Sequence, residues 1–189
     1  MLVLASASPR RRELLRWLVP EYELDAAHVD ESARPEEAAA TLVARLAAAK
    51  GQDVARRRPE TWVLAADTVV EIDGDVLGKP ADPREAAAML RRLSGREHRV
   101  FTGFTLLAPH GGARHGGIVE SRVLFHDLAP RTIEGYVATG EPLDKAGSYA
   151  IQGRGAGLVA RVDGSFTNVI GLPLGEVGAA LREAGLLAR

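Results

Sequence analysis

Apolar residues recur along this chain with two periods, and the alternation between them predicts its elements. Leu2-Val3-Leu4-Ala5 is continuously apolar, as a short buried strand is, and Leu14, Leu15 and Leu18 follow at helical spacing. Ser8 is a good N-cap for that helix, and Pro9 suits its first position. Residues 22–26 read as a second strand. Pro35-Glu36-Glu37 begins an alanine-rich helix with Leu42, Val43 and Leu46 on its apolar face, expected to end near Lys50-Gly51. Residues 61–72 form a long apolar strand, turned at Asp73-Gly74-Asp75 into a return strand through Val76-Leu77. Asp82-Pro83-Arg84-Glu85 is a capping box for a helix that runs to Leu93 and stops at Ser94-Gly95. Residues 98–108 and 117–128 read as antiparallel strands joined around Pro109-His110-Gly111-Gly112. A short helix over 130–139, a strand over 158–162 and a last amphipathic helix reaching Leu187 complete the pattern. Strands and helices interleave without repeats or low-complexity linkers, which places the chain in the α/β class.

Several polar residues break this pattern. Asp67 stands inside Ala65-Ala66-Asp67-Thr68-Val69-Val70, in the middle of the long strand. A buried unpaired carboxylate costs several kcal/mol, so such a residue needs either a structural cation or a chemical role. Arg10, Arg11 and Arg12 fill the first turn of the first helix, where the dipole disfavours cations. An anion held there by Ser hydroxyls, free N–H groups and guanidinium groups accounts for them better than Glu13 does. Asp30-Glu31 is an acidic pair in a loop, of interest only if folding brings it near Asp67, where oxygen ligands suit Mg²⁺ or Mn²⁺. Lys50, at the expected end of its helix, suits the dipole there; Lys79, between Gly78 and Pro80, is placed either as a surface lysine or as a phosphate contact. The segment from Glu141 to Gly153 gathers an acid, a lysine, a hydroxyl, a phenol and an amide. Gly153-Arg154-Gly155-Ala156-Gly157 lacks the Gly-Lys-Ser/Thr ending of a Walker loop and the context of a dinucleotide fingerprint. The histidines have no metal-ligand spacing.

Composition narrows the field. At 189 residues one domain is expected, spanning 1–189. A net charge of −1 gives no global field for nucleic acid, and the absence of cysteine excludes disulfides and thiolate metal sites. No apolar run approaches the ~20 residues of a membrane helix, and the N-terminus lacks a signal-peptide core. The expectation is a soluble cytoplasmic protein.

Six stretches, in order, resemble the Maf family of nucleoside triphosphate pyrophosphatases: Ala5-Ser6-Ala7-Ser8-Pro9-Arg10-Arg11, Ala66-Asp67-Thr68, Gly78-Lys79-Pro80, Met89-Leu90-Arg91-Arg92-Leu93-Ser94-Gly95, the run from Asp144 to Gly153, and Gly171-Leu172-Pro173-Leu174. The resemblance spans nearly the whole chain. It implies an elongated, strongly bent mixed sheet flanked by helices, with a nucleotide cleft between two lobes and a distant kinship to inosine-triphosphate pyrophosphatases. It implies water attack on the α-phosphorus of a nucleoside triphosphate, with Asp67 as proton acceptor. Glu31, Lys50 and Lys79 fall on the other charged catalytic positions, and Ser6 and Arg11 on phosphate-site positions. A divalent cation (Mg, Mn or Co), held by Asp67 and Glu31, is the implied cofactor, and a homodimer is the implied assembly. Arg10, Thr68 and Gln152 occupy the positions that divide the family by substrate. Their combination resembles the branch acting on dTTP, UTP and modified pyrimidine nucleotides, whereas the 7-methyl-GTP branch usually carries Trp and Glu at the first and last of them. Ser165-Phe166-Thr167-Asn168-Val169 departs from the aromatic-rich version of the dTTP/UTP branch. The alternative in another class is a nucleotide-binding regulator of septum formation. A nucleic-acid role has no basic stripe interleaved with aromatics to support it.

Overall fold

A computed structural model describes residues 1–112 and 114–188. Among them the strands are β1 (Leu2–Leu4), β2 (Glu23–Leu24), β3 (Trp62–Ile72), β4 (Asp75–Leu77), β5 (Glu97–Leu107), β6 (Arg114–Phe125) and β7 (Val159–Asp163). The helices are α1 (Pro9–Arg16), α2 (Ala39–Arg57), α3 (Pro83–Leu93), α4 (Pro130–Val137), α5 (Phe166–Ile170) and α6 (Leu174–Glu183). The strands form one mixed sheet in the order β2-β1-β3-β5-β6-β7, with β4 also paired to β3. β1 is parallel to β2 and β3, while the remaining pairs are antiparallel. This is the expected mixed α/β sheet flanked by helices.

β3 organises the core because it is buried on both faces. Its odd residues Val63, Ala65 and Val69 lie on the face that α2 covers, with Val54, Leu42, Val43 and Leu46 of that helix. Its even residues face the other helices. Leu64 and Ala66 pack with Leu14, Leu15, Val177 and Leu181 of α1 and α6, while Val70 and Ile72 pack with Leu90, Leu93 and Ile133 of α3 and α4. The apolar clusters therefore divide at the middle of β3 on both faces, and Asp67 and Thr68 occupy the division.

The edge of β3 is interrupted at the same place. One edge pairs with β5 from Val63 to Glu71. The other pairs with β1 only as far as Leu64 and with β4 only from Val70 onward. The Ala5 N–H donates to the Leu64 carbonyl at 2.8 Å, so even residues direct their main-chain groups to this side. The N–H and C=O groups of Ala66 and Thr68 thus face a gap between β1 and β4.

Several boundaries differ from the sequence reading. α2 begins at Ala39 rather than Pro35 and continues through Gly51 to Arg57. Gly51 does not terminate it: a Cβ there would lie 2.8 Å from the Thr105 Cγ2, and a Cβ on Gly103 of β5 would lie 2.5 Å from the Val43 carbonyl oxygen. Both glycines are clearance for a helix lying close on a strand. β2 shortens to two residues, β6 begins at Arg114, and α6 ends at Glu183. α5 is a further helical turn with Ser165 as its N-cap, accepting from the Asn168 N–H at 3.1 Å.

Candidate active site

A cleft of about 750 Å³ opens on the gap in β3, within the range of small-ligand sites. Asp67 enters it from the face under α2. Because α2 continues past Gly51, Lys50 lies well inside the helix, and it is buried rather than poised at a helix end. Its Nζ donates to Asp67 Oδ1 at 2.6 Å and stands 2.9 Å from Glu31 Oε2. Asp67 is only 6% exposed, whereas the Glu31 side chain is 56% exposed at the mouth of the cleft. One lysine thus bridges a buried and an open carboxylate. The loop bearing Glu31 is fastened to α2 through Arg45, whose Nε and Nη2 donate to Glu37 at 2.6 Å each, while Nη2 also donates to the Ser32 carbonyl at 3.0 Å. Hydrogen bonding from Arg45 holds the Glu37 carboxyl down at about 2.

Thr68 enters from the opposite face with Arg11. Arg11 lies in the first turn of α1 but turns back from it. Its Nε donates to the Gly171 carbonyl at 2.8 Å, Nη2 to Thr68 Oγ1 at 3.0 Å and Nη1 to Ser6 Oγ at 3.4 Å. Burial lowers its pKa, and the nearby Asp67 charge opposes that shift. Gly171 holds φ +126°, and a Cβ there would meet Thr68 Oγ1 at 3.4 Å and Arg11 Nε at 3.6 Å. The serines cap α1: Ser8 Oγ accepts from the Arg11 N–H at 3.4 Å and Ser6 Oγ from the Ser8 N–H at 3.2 Å.

Arg10 and Gln152 are half-buried in the cleft wall, and Lys79 is exposed at its edge. All nine residues singled out from the sequence (Ser6, Arg10, Arg11, Glu31, Lys50, Asp67, Thr68, Lys79 and Gln152) therefore line one cleft. The lining also includes Asp144 and Lys145, which the residue-by-residue reading left out. Lys145 Nζ donates to the Glu141 carbonyl at 2.7 Å and to Asp144 Oδ1 at 2.5 Å. Five cations (Arg10, Arg11, Lys50, Lys79, Lys145) face three carboxylates (Glu31, Asp67, Asp144), an excess that favours a polyanion.

The rest of the 141–153 segment is scaffold. Glu141 accepts from Tyr136 Oη at 2.9 Å, the Gly155 N–H at 3.0 Å and the Arg154 N–H at 3.2 Å, fixing the glycine-rich turn that follows Gln152. Its carboxyl pKa is lowered, burial opposing the hydrogen bonds that stabilise its charge. Tyr149 backs the cleft and shares a 2.8 Å hydrogen bond with buried His98.

The carboxylates were expected to hold a divalent metal. No group of three or more His, Cys, Asp or Glu suited to a metal occurs among the described residues. Two carboxylates nevertheless suit Mg²⁺ or Mn²⁺, which are commonly bound through one or two carboxylates together with substrate phosphates. Lys50 now neutralises both and competes with such an ion for them.

The sequence is similar to those of several known proteins. A dTTP/UTP pyrophosphatase of Myxococcus xanthus is 53% identical over 186 residues, covering 98% of this chain and 93% of that protein. Relatives also named dTTP/UTP pyrophosphatase in Syntrophus aciditrophicus and Desulfotalea psychrophila are 49% and 47% identical, covering 98% and 93% of this chain and 91% and 90% of theirs. Among solved structures, the Staphylococcus aureus Ham1 protein aligns with a TM-score of 0.49 at 14% identity, over 67% of this chain and 72% of that one. The family model described as Maf-like protein matches residues 1–184, and the chain belongs to the Maf family.

Proposed function

We propose that this protein hydrolyses nucleoside triphosphates to the monophosphate and pyrophosphate, with dTTP and UTP preferred. The observation that carries the reading is the Asp67–Lys50–Glu31 bridge, which runs from the buried wall to the mouth of a cationic cleft. The names borne by the relatives at 47–53% identity supply the base preference.

A triphosphate brings roughly four negative charges, so catalysis rests on positioning and charge neutralisation. Arg11 is held in place before substrate arrives, and Arg10, Lys79 and Lys145 offer further cations. Asp67 is the proton acceptor in this reading and orients the attacking water. Lys50 fixes which Asp67 oxygen remains free for that water. Asp67 and Glu31 would hold a divalent metal, which supplies charge neutralisation and a more acidic water when bound. Thr68 and Gln152 present polar groups to the pyrimidine edge, and a site built to hydrogen-bond one base rejects others by leaving buried groups unpaired.

The test is pyrophosphate release from a panel of triphosphates with Mg²⁺, Mn²⁺ or Co²⁺. UTP and dTTP are expected to exceed GTP and CTP at least about tenfold in kcat/KM. Equal rates across the panel overturn the base preference. Asp67→Asn is expected to lower kcat by about 100-fold or more, and full turnover in that variant removes Asp67 from the role of proton acceptor.

A further inference from the structure

The side-chain hydrogen bonds of Arg11 all end on neutral oxygens, those of Gly171, Thr68 and Ser6. For Thr68 to accept from Arg11 and keep doing so, its own proton needs a fixed destination. Thr102 of β5, its cross-strand partner, lies 2.9 Å away, oxygen to oxygen. Thr102 also has a single proton, and 3.1 Å from its Oγ1 is the main-chain carbonyl of Asn168. A carbonyl can only accept, so the chain acquires a direction from that end. Thr102 donates to Asn168, Thr68 donates to Thr102, and Arg11 donates to Thr68. Running the chain the other way would deprive a buried carbonyl of this donor. It would also turn the Thr68 proton onto the Gly171 carbonyl, 3.5 Å away, where Arg11 Nε already donates.

The far end of the chain is anchored. Asn168 is fully buried, and its Nδ2 donates to the Val100 carbonyl at 3.1 Å and to Ser121 Oγ at 3.0 Å. Thr102 is likewise fully buried, and neither residue lines the cleft.

We propose that Thr102 is a positioning residue: it accepts the hydrogen bond of the Thr68 hydroxyl, so that Thr68 meets Arg11 as an acceptor and clamps its guanidinium for a phosphate of the substrate. The proposal rests on the reading of the cleft as a triphosphate site. Asn168 sets the direction, and Thr102 transmits it across two strands to a cation it does not touch.

The experiment measures pyrophosphate release from UTP, and binding of inorganic pyrophosphate by calorimetry. It uses the wild type, Thr102→Val and Thr102→Ser, with Thr102→Val also placed in an Arg11→Lys background. Thr102→Val is expected to raise KM and the pyrophosphate Kd about tenfold while kcat stays within about threefold, because binding rather than the chemical step loses its support. Thr102→Ser, which keeps the hydroxyl, is expected to stay within about twofold of wild type, and in the Arg11→Lys background Thr102→Val is expected to change KM by less than about twofold. An unchanged KM in Thr102→Val, a Thr102→Ser variant as impaired as Thr102→Val, or a full tenfold effect on top of Arg11→Lys overturns the proposal. If Thr102→Val does not fold, Thr102→Cys, similar in size but a poor acceptor, takes its place, and a KM equal to that of Thr102→Ser overturns the proposal. A wild-type protein that releases pyrophosphate from no triphosphate defeats the functional reading instead, and the calorimetric comparison then decides the positioning role alone.

Discussion

Lys50 has two carboxylate partners in unlike settings, Asp67 in the sheet and Glu31 at the cleft mouth. Removing it affects them differently. Asp67 would remain as a buried carboxylate without its cation, the situation that makes breaking a buried pair costly. Lys50→Met is therefore expected to lower stability by about 3 kcal/mol, and Asp67→Asn by clearly less, since the amide carries no charge. Urea denaturation of the two variants checks this, and equal losses would show that the pair matters only for packing. The two members of the pair were unequally legible in the sequence. A carboxylate inside an apolar strand stands out, and the neighbours of Asp67 alone marked it as needing either a structural cation or a chemical role without deciding between them. Lys50 carried a misleading signal, because the Gly that follows it imitates a helix terminator. Thr102 carried none: a threonine in a strand is the ordinary choice of a β-branched residue, and only the register with Thr68 gives it meaning.

At the level of elements, the close approach of α2 to β5 delivers Lys50 to Asp67. Gly103 pairs directly with Asp67 across the β3–β5 ladder, and its missing Cβ is what admits the Val43 main chain. Gly103→Ala is expected to push α2 outward, destabilise the protein by about 1–3 kcal/mol and lower kcat well beyond what the lost stability explains. Thermal melts paired with activity at a temperature where the variant is fully folded separate the two effects; normal activity there would mean that Lys50 reaches Asp67 without the close approach. A glycine inside a strand is a sequence-level hint of such contact, but it does not say which element comes close. The acidic loop was legible only in part for a related reason. Its carboxylates were visible, yet Arg45, which fastens it through Glu37, lies on α2 and was indistinguishable from a solvated helix arginine.

For the whole molecule, acid stability has a specific contributor in His98. It is 2% exposed, stacked edge-on against Phe125 and Tyr149 in the cluster shared by α3 and α4. Burial lowers its pKa to about 4, against 6.5 when unfolded. The folded state therefore binds fewer protons in that window, and stability falls as pH drops from about 6.5 to about 4, with no further loss from this group below that. The shift corresponds to about 3 kcal/mol. His98→Gln is expected to be less stable at pH 7 but to lose about 3 kcal/mol less than wild type between pH 7 and pH 4; parallel pH profiles of the two in urea denaturation would remove His98 from this role. Tyr149 joins this buried cluster to the cleft wall.

The interruption in the edge of β3 also bears on how such an enzyme can change over generations. Thr68, which lines the cleft, carries its main-chain N–H and C=O on the edge where the sheet has no neighbouring strand. Side chains such as Arg10, Thr68 and Gln152 can be exchanged one codon at a time, and in the proposed reading base preference would drift with them. Main-chain groups persist through those replacements, because every residue other than proline brings the same donor and acceptor. If the cleft is the triphosphate site proposed above, the gap would give the lineage a main-chain contact largely insulated from point mutation, around which the exchangeable part of the pocket can vary.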